Sequence, residues 1–212
     1  MNVYDFDETV YFGDSEFHFI EYVFAKYPRM KKYSRKYKFY RFLQKKLKLV
    51  SRDYARQKIF SFLKKIPDID GELAAFWAEH ETNLKKWYLA QKREDDVILS
   101  ATPEFILKPI TDKLGVKLIG TKLDKKTGKL DGTYNFGEEK VRRFKETYGD
   151  IRPEKFYSDS YSDQPVAQIA EEAFMVFGEE ITPWAFRWMF FSDGFEKKFK
   201  KKSKTALKKL FF

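Results

Sequence analysis

The 212-residue chain contains no cysteine. Disulfides, thiolate nucleophiles and cysteine-ligated zinc, haem or iron–sulfur centres are therefore excluded. Histidine is nearly absent too. His18 and His80 are too few for a three-histidine metal site. No run approaches the roughly 18 apolar residues that a membrane-spanning helix needs, and the amino terminus lacks the basic-then-apolar pattern of a signal peptide. A soluble, cytoplasmic protein is the expectation.

What the chain does have is basic charge, unevenly placed. Residues 26–65 hold sixteen Lys and Arg against one acid, Asp53. Residues 195–212 hold eight Lys against one acid, Glu196. These segments carry +15 and +7, which leaves −12 for the rest of a chain whose net charge is +10. The pattern reads as an acidic body with two basic regions, suited to anionic partners or simply to solvated faces.

Hydrophobic periodicity divides the chain. Residues 2–6 read as a strand. From 14 to 91 the pattern is helical and rich in aromatic residues. A first helix begins at Ser15 and ends near Pro28. Leu43, Leu47 and Val50 recur at helical spacing. Asp53 to Lys65 repeats the pattern, and a long helix is expected from Leu73 to Leu89. After residue 96 the texture changes to alternating strands and helices. Strands are expected at 97–100, 116–120, 155–158 and 173–177, with helices from Pro103 to Leu114, from Glu138 to Tyr148 and from Pro165. That alternation predicts an α/β fold with a parallel sheet covered by helices on both faces. The helical block would be an insert after the first strand, near the edge where such sheets place their sites.

Three predicted strand ends carry polar chemistry: Asp5, Asp7 and Thr9, then Ser100, then Asp159 and Asp163. An isolated Asp-x-Asp could equally be a turn with two solvated acids. In a parallel sheet, however, these ends share one side, and Lys140 opens the preceding helix. Carboxylates for a hard cation, a hydroxyl and an ammonium for anionic oxygens, and a carboxylate free to attack form a coherent set for phosphoryl transfer.

Asp5-Phe6-Asp7-Glu8-Thr9, Leu99-Ser100-Ala101-Thr102-Pro103, Gly137-Glu138-Glu139-Lys140 and Asp159-Ser160-Tyr161-Ser162-Asp163 resemble the four ordered motifs of haloacid dehalogenase-like hydrolases, nearest to the phosphoserine-phosphatase-like branch. The resemblance covers residues 1–14 and 97–184. It implies a Rossmann-like three-layer catalytic core (1–13 and 92–184), a helical cap (14–91) and a basic, aromatic tail (185–212). It also implies the roles. Asp5 would be the nucleophile. Asp7 would be the general acid and base, its main-chain carbonyl a magnesium ligand. Asp5 and Asp159 would ligate Mg2+ through their side chains, supported by Asp163. Ser100 and Lys140 would bind the phosphoryl group together with Thr9 and Thr102, and Thr9 would also orient the Asp7 loop. Glu8 stands where a glycine is common, which narrows the loop without removing a reactive group. The acid at Asp7 favours a phosphatase over a dehalogenase.

The implied activity is magnesium-dependent hydrolysis of a phosphate monoester through an aspartyl-phosphate. The alternatives are a phosphotransferase or mutase on the same core, or a non-enzymatic protein that binds nucleic acid or membrane. The expected substrate is a small phosphorylated metabolite or a phosphorylated lipid head group. Glu16, His18, Glu21, Arg52 and Arg56 are the polar candidates for reading its leaving group. Tyr33, Tyr37, Phe39, Tyr40 and Phe42 interleave with basic residues as nucleic-acid surfaces do, although nucleic acid is the less favoured partner. Residues 195–212 suit a basic amphipathic contact with an anionic bilayer, at the inner face of the membrane.

Overall fold

The computed structural model describes residues 1–45 and 47–184. The tail expected to touch a bilayer lies outside them. Among the described residues the sheet has the order β3-β2-β1-β4-β5-β6. Its strands are β1 (Asn2–Tyr4), β2 (Val97–Pro103), β3 (Lys117–Thr121), β4 (Lys155–Ser158), β5 (Glu172–Phe177) and β6 (Glu180–Pro183). The first five run parallel, and β6 returns antiparallel to β5. β6 has no counterpart in the sequence reading. All its residues are exposed, so its side chains give no burial pattern to read.

The predicted α/β class and parallel sheet are observed. Residues of β1, β2 and β4 alternate between two cores, as a sheet covered on both faces requires. Tyr4, Ile98 and Tyr157 face one core, and Val3, Val97, Leu99 and Phe156 face the other. The second core is closed by α7 (Glu138–Tyr148) and α8 (Gln164–Ile169) through Phe144 and Val166. The first lies under α6 (Glu104–Leu114) and the helical insert. Tyr4 and Tyr157 are register partners, as are Tyr157 and Phe174. Their rings stack at 4.9 and 5.0 Å, a ladder across three strands. Each such contact contributes about 0.5–1.5 kcal/mol beyond simple burial.

The insert between β1 and β2 comprises α1 (Ser15–Lys26), α2 (Lys31–Lys45), α3 (Arg52–Ile59), α4 (Ile69–His80) and α5 (Lys86–Gln91). Asp14 caps α1 by accepting from the Phe17 amide at 2.8 Å, and Asp68 caps α4 by accepting from Gly71 at 2.9 Å. Two helical expectations are corrected. The long helix expected from Leu73 to Leu89 ends at His80. Leu84 then forms a bridge to Tyr11, and the Lys85 amide donates to the Val10 carbonyl at 2.8 Å. Those extended contacts to the core outcompete local helix propensity. Leu47 and Val50 do not continue a helix either. The chain reverses at Lys48 with φ 52°, which leaves Leu47 exposed.

Glu72 of α4 ties the insert together. Its buried carboxylate accepts from Lys26 at 2.8 Å, Tyr27 at 2.6 Å and Tyr22 at 3.0 Å. Burial pushes its pKa up, but these donors together outweigh it and hold the carboxyl below the usual range. A depressed carboxylate stabilises the fold above its unfolded pKa, and that contribution is lost as pH falls through the folded value. Glu72→Gln is therefore expected to cost about 1–2 kcal/mol at neutral pH. In thermal melts the difference from the native chain should shrink steadily below the ordinary glutamate range of about pH 4.

Candidate active site

β1 lies between β2 and β4, and the chain crosses from one side of it to the other, so a crevice opens at the carboxyl ends of these three strands. Tyr4 is paired with Ile98 and Tyr157. The next residues therefore bring Asp5, Ser100 and Asp159 to one edge. Fixed by that register, the Asp5 amide donates to the Tyr157 carbonyl at 2.9 Å.

Lys140 is 2% exposed and sits between two carboxylates. Its Nζ donates to Asp5 Oδ1 and to Asp163 Oδ2, each at 2.9 Å. Lys140 reaches the site because α7 buries Lys140, Arg143 and Phe144 on one face. Asp163 Oδ2 also accepts from Ser158 Oγ at 2.8 Å, while its Oδ1 is buried with no hydrogen-bond partner among the described residues.

Asp7 is held from two sides. Its Oδ1 accepts from the Ser15 amide at 2.7 Å and the Ser15 hydroxyl at 2.5 Å, and its Oδ2 accepts from Thr102 Oγ1 at 2.5 Å. The Thr102 amide donates to Ser100 Oγ at 3.1 Å. Thr9, fully buried, accepts from the Asp159 amide at 2.9 Å and so braces the first motif against the last.

Crowded acids set the electrostatics. Burial, the nearby Asp14 and the Asp5 charge push Asp7 up to about 7 against the bonds from Ser15 and Thr102. Burial and Asp163 push Asp5 up to about 6, although Lys140 pulls it down. Asp159 is raised well above the carboxylate range by burial and by the charges of Asp5, Asp163 and Glu8. Among the described residues, no three His, Asp or Glu side chains converge into a ready-made metal cluster. The donor chemistry fits a smaller demand. Mg2+ commonly takes one or two carboxylates and completes its octahedron with water and substrate oxygens. Asp5 and Asp159 supply two carboxylates whose mutual repulsion a cation would relieve.

Several residues of the site had no distinguishing signal in the sequence. Ser15 is one. Lys85 is another: its ammonium is fully buried, donates to the Glu8 carbonyl and lies 4.9 Å from the Phe12 ring centre. Nothing in Leu84-Lys85-Lys86 separates it from its exposed neighbour. Its partner Glu8 adopts φ 57°, the left-handed region that a glycine would enter without strain. Asn135, also buried, donates to the Ser100 and Ile119 carbonyls at 2.8 and 3.2 Å, tying together the ends of β2 and β3.

The helical insert reaches the site through α3. Arg56 forms an ion pair with Glu16, and its second guanidinium nitrogen donates to the Tyr134 hydroxyl at 2.5 Å. Arg52 lies 3.6 Å from the Phe136 ring centre, and Asp53 accepts from the Tyr134 amide at 3.1 Å. Burial raises the Tyr134 hydroxyl, and the charges it feels include Arg56, Asp14, Asp7 and Lys140. The other cap candidates lie elsewhere. His18 and Glu21 line an open cleft of about 610 Å3 between α1 and α4 that also holds His80 and contains no motif residue. His18 bonds the Tyr11 hydroxyl at 2.8 Å. Its ring stands 2.4 Å from where a Cβ on Gly13 would lie, so that position requires glycine.

The mostly parallel sheet thus holds a buried lysine between two strand-end carboxylates. The model of the haloacid dehalogenase-like hydrolases matches residues 3–168, and the chain belongs to that family. Solved structures share its fold. A protein of unknown function from Bordetella pertussis Tohama I is 22% identical, with a TM-score of 0.66 over 82% of this chain and 87% of its own. A phosphoserine phosphohydrolase-like protein from Francisella tularensis is 17% identical, with a TM-score of 0.54 over 82% and 86%. No curated protein matches the chain.

Proposed function

We propose that the chain is a magnesium-dependent phosphatase that hydrolyses a phosphate monoester through an aspartyl-phosphate on Asp5. The observation that carries this reading is the Lys140 ammonium held 2.9 Å from Asp5, beside an Asp7 carboxyl oriented by Ser15 and Thr102. A carboxylate attacks a dianionic ester poorly unless cationic groups offset the repulsion. Lys140 places one such charge at the nucleophile. Mg2+, held by Asp5, Asp159 and the Asp7 carbonyl, would supply a second by drawing charge from the phosphate oxygens.

In the forward half, an Asp5 carboxylate oxygen bonds to phosphorus while the ester oxygen departs with a proton from Asp7. In the second half, Asp7 takes a proton from water, the hydroxyl oxygen attacks phosphorus, and the Asp5–phosphorus bond breaks to release phosphate. Ser100 and Lys140 bind the transferred group in both halves. The helices of 14–91 act as a cap over the core of 1–13 and 92–184. Arg52, Arg56 and Glu16 are placed on the cap side to meet the leaving group.

The test is phosphate release from a panel of sugar phosphates, amino-acid esters, phosphorylated lipid head groups and nucleotides. Release should require added Mg2+ and stop with a chelator. Failure of every substrate to exceed an Asp5→Asn control would overturn the reading. Transfer of the phosphoryl group to an added alcohol in preference to water would replace it with a phosphotransferase.

A further inference from the structure

The exposed face of α2 and the turn that follows it are at once basic and apolar. Arg35, Lys38, Phe39 and Phe42 share one face of α2, at i, i+3, i+4 and i+7, and all four are exposed. Phe39 is 55% and Phe42 51% exposed. The turn that follows adds Leu47 at 48% and Leu49 at 70%. Of the ten large hydrophobic side chains exposed among the described residues, five lie between positions 39 and 54. That concentration exceeds the scatter expected of a soluble surface.

The turn is built rather than frayed. Its Leu47 amide donates to the Phe42 carbonyl at 3.3 Å and its Leu49 amide to the Leu43 carbonyl at 3.1 Å, around Lys48 with φ 52°. A lysine in the left-handed region is strained where a glycine would not be, so a charged side chain is kept between the two leucines against the local preference.

Lys36 and Arg41 of α2 donate to Ser61 and Tyr37, but three other cations of this basic segment form no ion pair among the described residues. α2 contains no acidic residue, and among the described residues none of Arg35, Lys38 and Lys48 forms an ion pair. Unpaired cations seek an anionic surface. Exposed phenylalanines suit either nucleobases or hydrocarbon, but Leu47 and Leu49 have no π-face on which a base could stack. Aliphatic tips ringed by Lys and Arg fit the boundary of an anionic lipid bilayer, where the side chains enter the acyl region and the cations meet the head groups.

We propose that the tip formed by the exposed face of α2 and the turn at 47–49 docks on an anionic bilayer surface. The proposal is independent of the phosphatase reading.

The test is co-sedimentation of the full chain with vesicles of phosphatidylcholine alone and of equal parts phosphatidylcholine and phosphatidylglycerol. The native chain should partition into the mixed vesicles and fall off them as salt is raised. Both Leu47→Ser/Leu49→Ser and Arg35→Gln/Lys38→Gln should weaken partitioning by about tenfold or more. Each variant keeps the tail, so the comparison isolates the tip. As a second measurement that preserves apolarity, Leu49→Trp should give a fluorescence difference spectrum that shifts to the blue on mixed vesicles. Unchanged partitioning of the leucine variant, equal binding to neutral vesicles or no blue shift would overturn the proposal. If only the charge variant loses affinity, and for a single-stranded oligonucleotide as much as for vesicles, the surface serves nucleic acid instead.

Discussion

Asp5→Asn is expected to reduce phosphate release by at least about a thousandfold while making the protein more stable. Asparagine matches aspartate in shape but cannot donate an electron pair from a carboxylate to phosphorus. Activity should therefore vanish without loss of fold. The gain in stability follows from the environment of Asp5. Burial and Asp163 raise its pKa to about 6 despite Lys140, so the folded state disfavours the charge. A carboxyl raised in this way destabilises the fold as pH climbs from its unfolded value, near 4, through its folded value. Melts in chelator should show Asp5→Asn close to the native chain near pH 4 and above it at neutral pH. Lys140 keeps Asp163 as a partner in this variant, so no buried ammonium is stranded. A variant that melts well below the native chain at neutral pH would show that Asp5 is held chiefly for structure. Residual turnover near the native level would remove it as nucleophile.

The second large effect is expected at Lys140, with the opposite sign for stability. Lys140→Met keeps the length and packing of the side chain but removes the cation shared by Asp5 and Asp163. Breaking a buried pair from one side commonly costs about 3–5 kcal/mol, because the remaining charge has neither water nor a partner. In a chain of this size that corresponds to a fall of about 10 °C in Tm. Adding Asp163→Asn to Lys140→Met should recover a good part of the loss by removing one stranded carboxylate, yet leave phosphate release as low as in the single variant. Recovery of activity in the double variant would mean that Lys140 only neutralises Asp163. No drop in Tm in the single variant would contradict the buried geometry.

These two residues also mark how far the sequence can be read. Asp5 and Asp7 were legible because strand side chains alternate and because four polar motifs recur in order along the chain. Ser100 and Asp159 were legible for the same reason. Lys140 was legible only through motif spacing. Its burial depends on which face of α7 meets the sheet, a matter of packing. Lys85 and Ser15 carried no signal, since one lysine or serine among several looks like any other until the chain closes around it. The break after His80 was equally hidden: the residues there favour a helix, and the bond from Lys85 to Val10 that interrupts it spans most of the insert. Leu47, which the spacing assigned to a helix, lies exposed in the turn instead.

By itself, then, the sequence determined the class of the fold, the order of its five parallel strands and of the core helices between them, and the chemistry gathered at three strand ends, because periodicity and motif order are local properties. Tertiary structure decided the rest. The register of β1 between β2 and β4 placed Asp5, Ser100 and Asp159 at one edge, and the packing of α7 drove an ammonium between two carboxylates. The reversal at Lys48 turned two leucines outward on the same basic segment. Each of these outcomes is a contact between residues distant in sequence or a choice of which face to bury, and the free energy of such contacts exists only once the chain has folded.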